Sequence, residues 1–161
     1  MDLPTSIRPF WNAFEATVDF DASTRFYEVF FFADTEAVAN ELAALVLCGT
    51  KQATASLLWT YEAEGQALPR PGNLSVMTDW GGHPLCIIET MEVELVPFDE
   101  VSPEFAATEG EGDKSLRYWR EVHWNYFSRE CEAIARQAES TMPVVCERFN
   151  VIYRASDKPT L

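Results

Sequence analysis

The stretch Leu47-Cys48-Gly49-Thr50-Lys51-Gln52-Ala53-Thr54-Ala55-Ser56 decides how this chain is read. Ahead of it, Val38, Leu42, Leu45 and Val46 recur at helical spacing, with Asp34 or Thr35 placed to cap the helix. Gly49 stops that helix, because glycine enters the left-handed conformation of a position just past a helix end without a Cβ clash. From Gln52 to Trp59 alternation predicts a strand. An amine (Lys51) and a hydroxyl (Thr54) therefore fall at a helix-to-strand corner. Thr54 and Ser56 share one strand face, and Ala53, Ala55 and Leu57 the other. Lys51 and Thr54, three apart, reach one site only if the corner turns the backbone.

Working outward, Ile7, Phe10, Trp11, Phe14 and Val18 predict an amphipathic helix over 5–18, with Pro9 in its first turns. Residues 26–33 are aromatic and β-prone. Turns at Pro69–Gly72 and Gly81-Gly82 bound strands at Leu74–Thr78 and Leu85–Val96, which read as an antiparallel meander. Pro97 to Pro103 breaks it, and a short helix is expected around Glu104–Ala107. The acidic loop Glu109-Gly110-Glu111-Gly112-Asp113 follows, with Asp113 as the expected cap of a long helix. That helix carries Leu116, Trp119, Val122, His123, Tyr126, Phe127 and Ile134 and is expected to run to about Ala138. Val144 to Tyr153 predicts a last strand, and the tail from Arg154 is expected to fray. The order predicts an α+β fold, a small, strongly bent, mostly antiparallel sheet or β-barrel with flanking helices.

Composition narrows the function. The chain has 161 residues, 47% of them apolar, enough for a core without disulfides or metal. The net charge of −14 lacks the basic footprint that duplex DNA demands, so double-stranded DNA is excluded as a partner and a small ligand or strand end is favoured. No apolar run is long enough for a membrane span, and the first residues carry no secretory pattern. Cys48, Cys86, Cys131 and Cys146 form no C-x-x-C pair; reduced thiols, buried for Cys48, Cys86 and Cys146, and a cytoplasmic location are expected.

Several residue types can carry chemistry. A lysine desolvated in a pocket can lose its proton and act as a base, and a neighbouring hydroxyl can then attack a carbonyl, which are the roles open to Lys51 and Thr54. Both residues are equally compatible with a surface lysine and a threonine kept for β propensity. Glu109 or Glu111 could act as acid or base, or hold a lysine; a solvated acidic loop is the alternative. Trp59, Tyr61 and Trp80 could stack on a base. Arg117 and Arg120 could meet phosphate or pair with the acidic loop. His83 and His123 have no zinc spacing, and His123, on the apolar stripe of the long helix, reads as a packed histidine. No P-loop, G-x-G-x-x-G or G-x-S-x-G occurs.

The pattern Gly49, Lys51, Thr54, Ser56 resembles the signature corner of ASCH domains. Glu109-Gly110-Glu111-Gly112-Asp113-Lys114-Ser115-Leu116-Arg117-Tyr118-Trp119-Arg120 is similar to the longer bacterial branch of that family, as are His123-Trp124-Asn125-Tyr126-Phe127 and Met142–Phe149. The resemblance covers roughly residues 26–153. It implies a PUA-like fold, with residues 1–25 as an N-terminal helical extension and 154–161 as a tail. It also implies work on RNA or modified nucleosides. One compact branch removes the acetyl group of N4-acetylcytidine with a lysine, a threonine and a glutamate, which fall on Lys51, Thr54 and Glu109. Another member cleaves single-stranded RNA. The compact branch commonly has arginine where this chain has Ser56, which leaves the substrate open, and Glu111 could replace Glu109. The expected function is therefore a hydrolase of single-stranded RNA or of an acylated nucleoside, with Lys51, Thr54 and Glu109 catalytic and Ser56, Trp59, Tyr61, Glu111 and Arg117 binding substrate. The alternative is a binding module without chemistry. No cofactor or bound metal is expected, a weak divalent-ion dependence is left open, and so is the oligomeric state.

Overall fold

The computed structural model describes residues 2–155. Helix α1 (Arg8–Glu15) is followed by strand β1 (Phe26–Phe30), helix α2 (Glu36–Leu47), strand β2 (Ala53–Leu57) and helix α3 (Leu58–Glu64). Strands β3 (Leu74–Thr78) and β4 (Pro84–Pro97), helices α4 (Pro103–Glu109) and α5 (Leu116–Ala133), and strand β5 (Pro143–Arg154) complete the chain. The expected tail lies, from residue 156, outside the described residues, and Arg154 is the last residue of β5.

The five strands form one sheet in the order β1-β3-β4-β5-β2. β3, β4, β5 and β2 pair antiparallel, whereas β1 runs parallel to β3 after a long crossover. The fold is α+β, but the sheet is open and not the closed barrel that was one of the expected forms. β1 and β2 are its two edges and do not pair with each other. Residues of both edge strands line one cavity.

Alternation along the strands separates two faces. Leu74, Val76 and Ile87 pack under Trp11 and Phe14 of α1, together with Leu3 and Ile7. Met77, Cys86 and Ile88 face the other way, against Ala43 and Val46 of α2. A third apolar cluster joins Ala53 and Leu57 of β2 to Phe105 of α4 and to Trp119 and Phe127 of α5.

Local expectations fail in four places. The strand predicted to Trp59 ends at Leu57, and α3 starts at the next residue. α3 has no side-chain cap to announce it, and only Gly65, at φ 65°, marks its end. The N-cap of α5 is Ser115, whose hydroxyl accepts from the Tyr118 N–H; Asp113 sits two residues earlier and accepts from the Ser115 N–H. α5 also stops at Ala133 rather than near Ala138. Cys48 is exposed, against the expectation of a buried thiol, while Cys86, Cys131 and Cys146 are buried, and all four are free.

One glycine fixes how α4 meets the Lys51 corner. Gly110 has φ +70°, and a Cβ there would stand 2.2 Å from the Thr50 carbonyl oxygen. The Gln52 N–H donates to the Thr108 carbonyl at 3.0 Å, so the two backbones are already clamped together. Gly110→Ala is expected to cost about 3 kcal/mol, since it adds a backbone clash to a left-handed conformation. Urea unfolding of the variant measures this, and a loss below about 1 kcal/mol would show that the contact yields freely.

Candidate functional site

α2 ends as the sequence predicts. Gly49 takes φ +83°, its N–H donates to the Val46 carbonyl, and the Thr50 and Lys51 N–H groups both donate to Leu45. This double closure turns the chain sharply and drives the Lys51 side chain inward. Lys51 is 1% exposed. Its ammonium donates to the Ala53 carbonyl at 2.8 Å, to Glu109 Oε2 at 2.9 Å and to Glu111 Oε1 at 2.9 Å. An ammonium has three N–H donors, and here each has an acceptor.

Glu109, the last residue of α4 rather than a loop residue, is equally enclosed. Its second oxygen accepts from Trp119 Nε1 at 2.9 Å and lies 3.3 Å from His123 Nε2. His123 Nδ1 donates to the Trp119 carbonyl at 2.9 Å, and the two rings stack 4.3 Å apart. His123 is thus a member of the charged network and not merely a packed ring. Its signal in the sequence was the Trp119/His123 spacing of four, which sets both N–H groups on one side of α5.

The electrostatics follow from these contacts. Burial pushes the Lys51 ammonium toward neutrality, but Glu109 and Glu111 outweigh it and hold the lysine above its ordinary value. The resting lysine is charged and is not a ready base. Burial would raise Glu109, yet Lys51 and then His123 hold its carboxyl well below the usual range. Glu111 goes the other way: burial raises it, with Lys51 opposing and Glu109 adding. His123 is raised because Glu109 outweighs the effect of burial. Glu109, Glu111 and His123 place ligand atoms within 4.8 Å of one another, a donor set that could hold a metal ion. Lys51 already bonds both carboxylates, so a divalent cation there must compete with the ammonium.

Beside this network lies a cavity of about 780 Å³. Glu28 and Phe30 of β1, Ser75 of β3 and Glu147 of β5 contribute to it, as do Thr54 and Ser56 of β2. Tyr61 comes from α3, and Tyr118, His123 and Tyr126 from α5. Of the residues singled out in the sequence, Thr54, Ser56, Tyr61, Glu109 and Glu111 line the cavity. Lys51 stands behind Glu109 and Glu111 and does not line it. Trp59 is turned away, with the Arg136 guanidinium 4.2 Å from its ring centroid, and Arg117 is exposed outside the cavity. Trp80 is also outside, in edge contact with Phe31.

Glu28 and Glu147 are lining carboxyls that no sequence motif singled out. Glu28 accepts from Gln66 Nε2 at 3.2 Å, and Glu147 from Thr90 Oγ1 at 2.6 Å. Burial, with Glu147 adding, pushes Glu28 up to about 7 against the opposing Gln66 bond. Glu147 is raised by burial, with Thr90 opposing. A glutamate in the inward series of the last strand was the available signal for Glu147.

A family model for the ASCH domain matches residues 28–153. The chain belongs to the ASCH domain family. An ASCH domain from Lactobacillus crispatus JV V101 is similar at 37% identity and TM-score 0.88, over 96% of this chain and 98% of that one. A protein of Enterococcus faecalis V583 is similar at 33% identity and TM-score 0.84, over 95% and 91%. No curated protein matches. Among the described residues of this ASCH domain, no helix is long and apolar enough to cross a membrane.

The two carboxyls have opposite pH signatures. Glu109 is held low, so its contribution is complete above the ordinary glutamate value and is lost as the pH falls below it. Glu109→Gln is expected to cost about 3–5 kcal/mol at neutral pH, because Lys51 loses a buried partner, with the gap narrowing in acid. Glu28 keeps its proton to about pH 7 when folded but releases it near 4.5 when unfolded, so it lowers stability as the pH rises through that window. Glu28→Gln should therefore unfold at higher urea than wild type at about pH 8 and lose that advantage at about pH 4. A uniform effect across pH, read in denaturant titrations, contradicts these assignments.

Proposed function

We propose that this ASCH domain is a nucleoside-directed hydrolase that deacylates a modified base held in the cavity. The observation carrying this reading is the Thr54 side chain on the wall of a nucleoside-sized cavity that Glu109, Glu111 and His123 also line. Thr54 Oγ1 attacks the acyl carbonyl. As the bound ligand draws Glu111 aside, Lys51 passes one proton to it and, opened toward the cavity, accepts that of Thr54. A carboxylic acid returns a proton to the leaving amine, and water then hydrolyses the threonyl ester to free the acid. The family motif places Glu109 in the proton-carrying role. Glu111 suits it better here, because its carboxyl is raised while that of Glu109 is locked as an anion. A nucleoside is favoured over an RNA strand because the cavity wall is predominantly acidic and repels phosphate.

A second reading, a binding module without chemistry, rests on the state of Lys51. Its three N–H groups are all engaged and it is 1% exposed, as expected of a structural ion pair. The test incubates wild type, Thr54→Val and Glu111→Gln with N4-acetylcytidine and, separately, a short unstructured RNA, followed by mass spectrometry. Deacetylation should fall at least about a hundredfold in Thr54→Val with an unchanged melting temperature. RNA strand cleavage in place of deacetylation moves the function to a ribonuclease. Saturable binding with no product favours the binding module.

A further inference from the structure

The cavity is unevenly charged. Eight lining residues are Asp or Glu, against His123 and Arg129 as the basic ones. His123 is committed to Glu109, and Arg129 is 3.2 Å from Asp34. At the Lys51 end, cations balance the carboxylates. At the sheet floor they do not: among the described residues neither Glu28 nor Glu147 meets a basic side chain within ion-pair distance.

Glu28 and Ser75 are cross-strand neighbours on β1 and β3, and Glu147 reaches the same floor from β5. Glu147 lies close enough to Glu28 to oppose its ionisation. Ser75 is 3% exposed and lines the cavity, and none of the side-chain hydrogen bonds of the described residues uses its hydroxyl. A hydroxyl at the cavity wall that no protein group engages is free to accept from a ligand. Phe30 and Tyr61 border the same space and offer π-faces to a flat cation.

We propose that Glu28, Ser75 and Glu147 form a cation subsite, and that the cavity's ligand is a phosphate-free molecule bearing a positive charge on a flat, aromatic-sized body. Within the nucleoside reading this is a base carrying a fixed charge or a protonated amine. The inference rests on that reading only for the location of the ligand and not for hydrolysis. Two uncompensated carboxyls attract the cation, Ser75 accepts one of its N–H groups, and the acidic wall rejects phosphate esters. The cation replaces the proton shared out on the floor, so binding releases protons and tightens as the pH rises. The groups facing Glu28 are Glu147 from β5, Gln66, and Glu64 and Tyr61 from α3, with Tyr27 beside it; none is a cation.

The test uses benzylamine and its neutral isostere benzyl alcohol in calorimetric titrations of the full chain. Benzylamine should bind at least about tenfold tighter, and the preference should vanish in Glu28→Gln and in Glu147→Gln. Its affinity should rise from about pH 6 to about pH 8 in wild type and rise less steeply in Glu28→Gln. Benzyl phosphate should not bind. Equal binding of amine and alcohol, no binding of benzylamine, or retention of the preference in the double variant overturns the subsite. The wild-type comparison decides even where a variant fails to fold. The same samples are assayed with N4-acetylcytidine. Turnover without a cation preference removes the subsite and leaves the hydrolase, whereas a cation preference without turnover removes the hydrolase and leaves the subsite.

Discussion

The rest of the structure depends on one buried ammonium. Lys51 joins the end of α2, the start of β2, the end of α4 and the loop that follows, segments that are otherwise 58 and 60 residues apart in the chain. Neither the lysine nor Glu109 could be buried singly, since an isolated charge in a low-dielectric interior costs several kcal/mol. Together, with the Ala53 carbonyl, the Trp119 indole and His123 filling the remaining hydrogen-bond sites, they form a closed set. Such a set adds little net stability over an apolar replacement, but losing any one member leaves the others uncompensated. The geometry of the cavity wall is therefore held by charge pairing as much as by packing.

The same wall shows why the two ends of the cavity differ. Near Lys51 each carboxylate has a cationic partner, and Glu109 stays ionised. At the floor Glu28 and Glu147 have only neutral donors, Gln66 and Thr90, and both are pushed toward the protonated form. Folding tolerates these unpaired carboxyls although they reduce stability at neutral pH. Features that oppose stability in this way concentrate at sites of function, where the deficit is relieved when something binds.

The sequence made the corner legible because its signals are local. Gly49 reads as a helix stop from its own chemistry, and the periodicity before it needs no tertiary information. α3 was hidden for the opposite reason: Leu57 caps nothing with its side chain, so strand runs into helix without punctuation. The long-range features were not legible from spacing at all. The parallel pairing of β1 with β3 and the open edge at β2 follow from the crossover, not from either strand. The candidate site divides along the same line. Lys51, Thr54, Glu109 and Glu111 stand on quotable motifs, whereas Glu28, Ser75 and Glu147 are single residues of ordinary strands that acquire meaning only when three strands bring them to one floor. Trp59 was misjudged because a helix, not a strand, sets its direction.

The order in which the Lys51 partners can be lost bears on whether chemistry is possible. Glu109 is sealed on both oxygens and is 1% exposed, so moving it would also unseat Trp119 and His123. The Ala53 carbonyl belongs to the β2 backbone. Glu111 is different: it follows Gly110 in a segment with two glycines, keeps 12% side-chain exposure and borders the cavity. Its raised pKa means that protonation weakens its hold on the ammonium near the conditions where the other partners remain fixed. A ligand that displaces or protonates Glu111 would open one N–H of Lys51 toward the cavity and leave the rest of the network standing. The lysine can thus be structural at rest and reactive only with the cavity filled, and Glu111 is the contact on which that change turns.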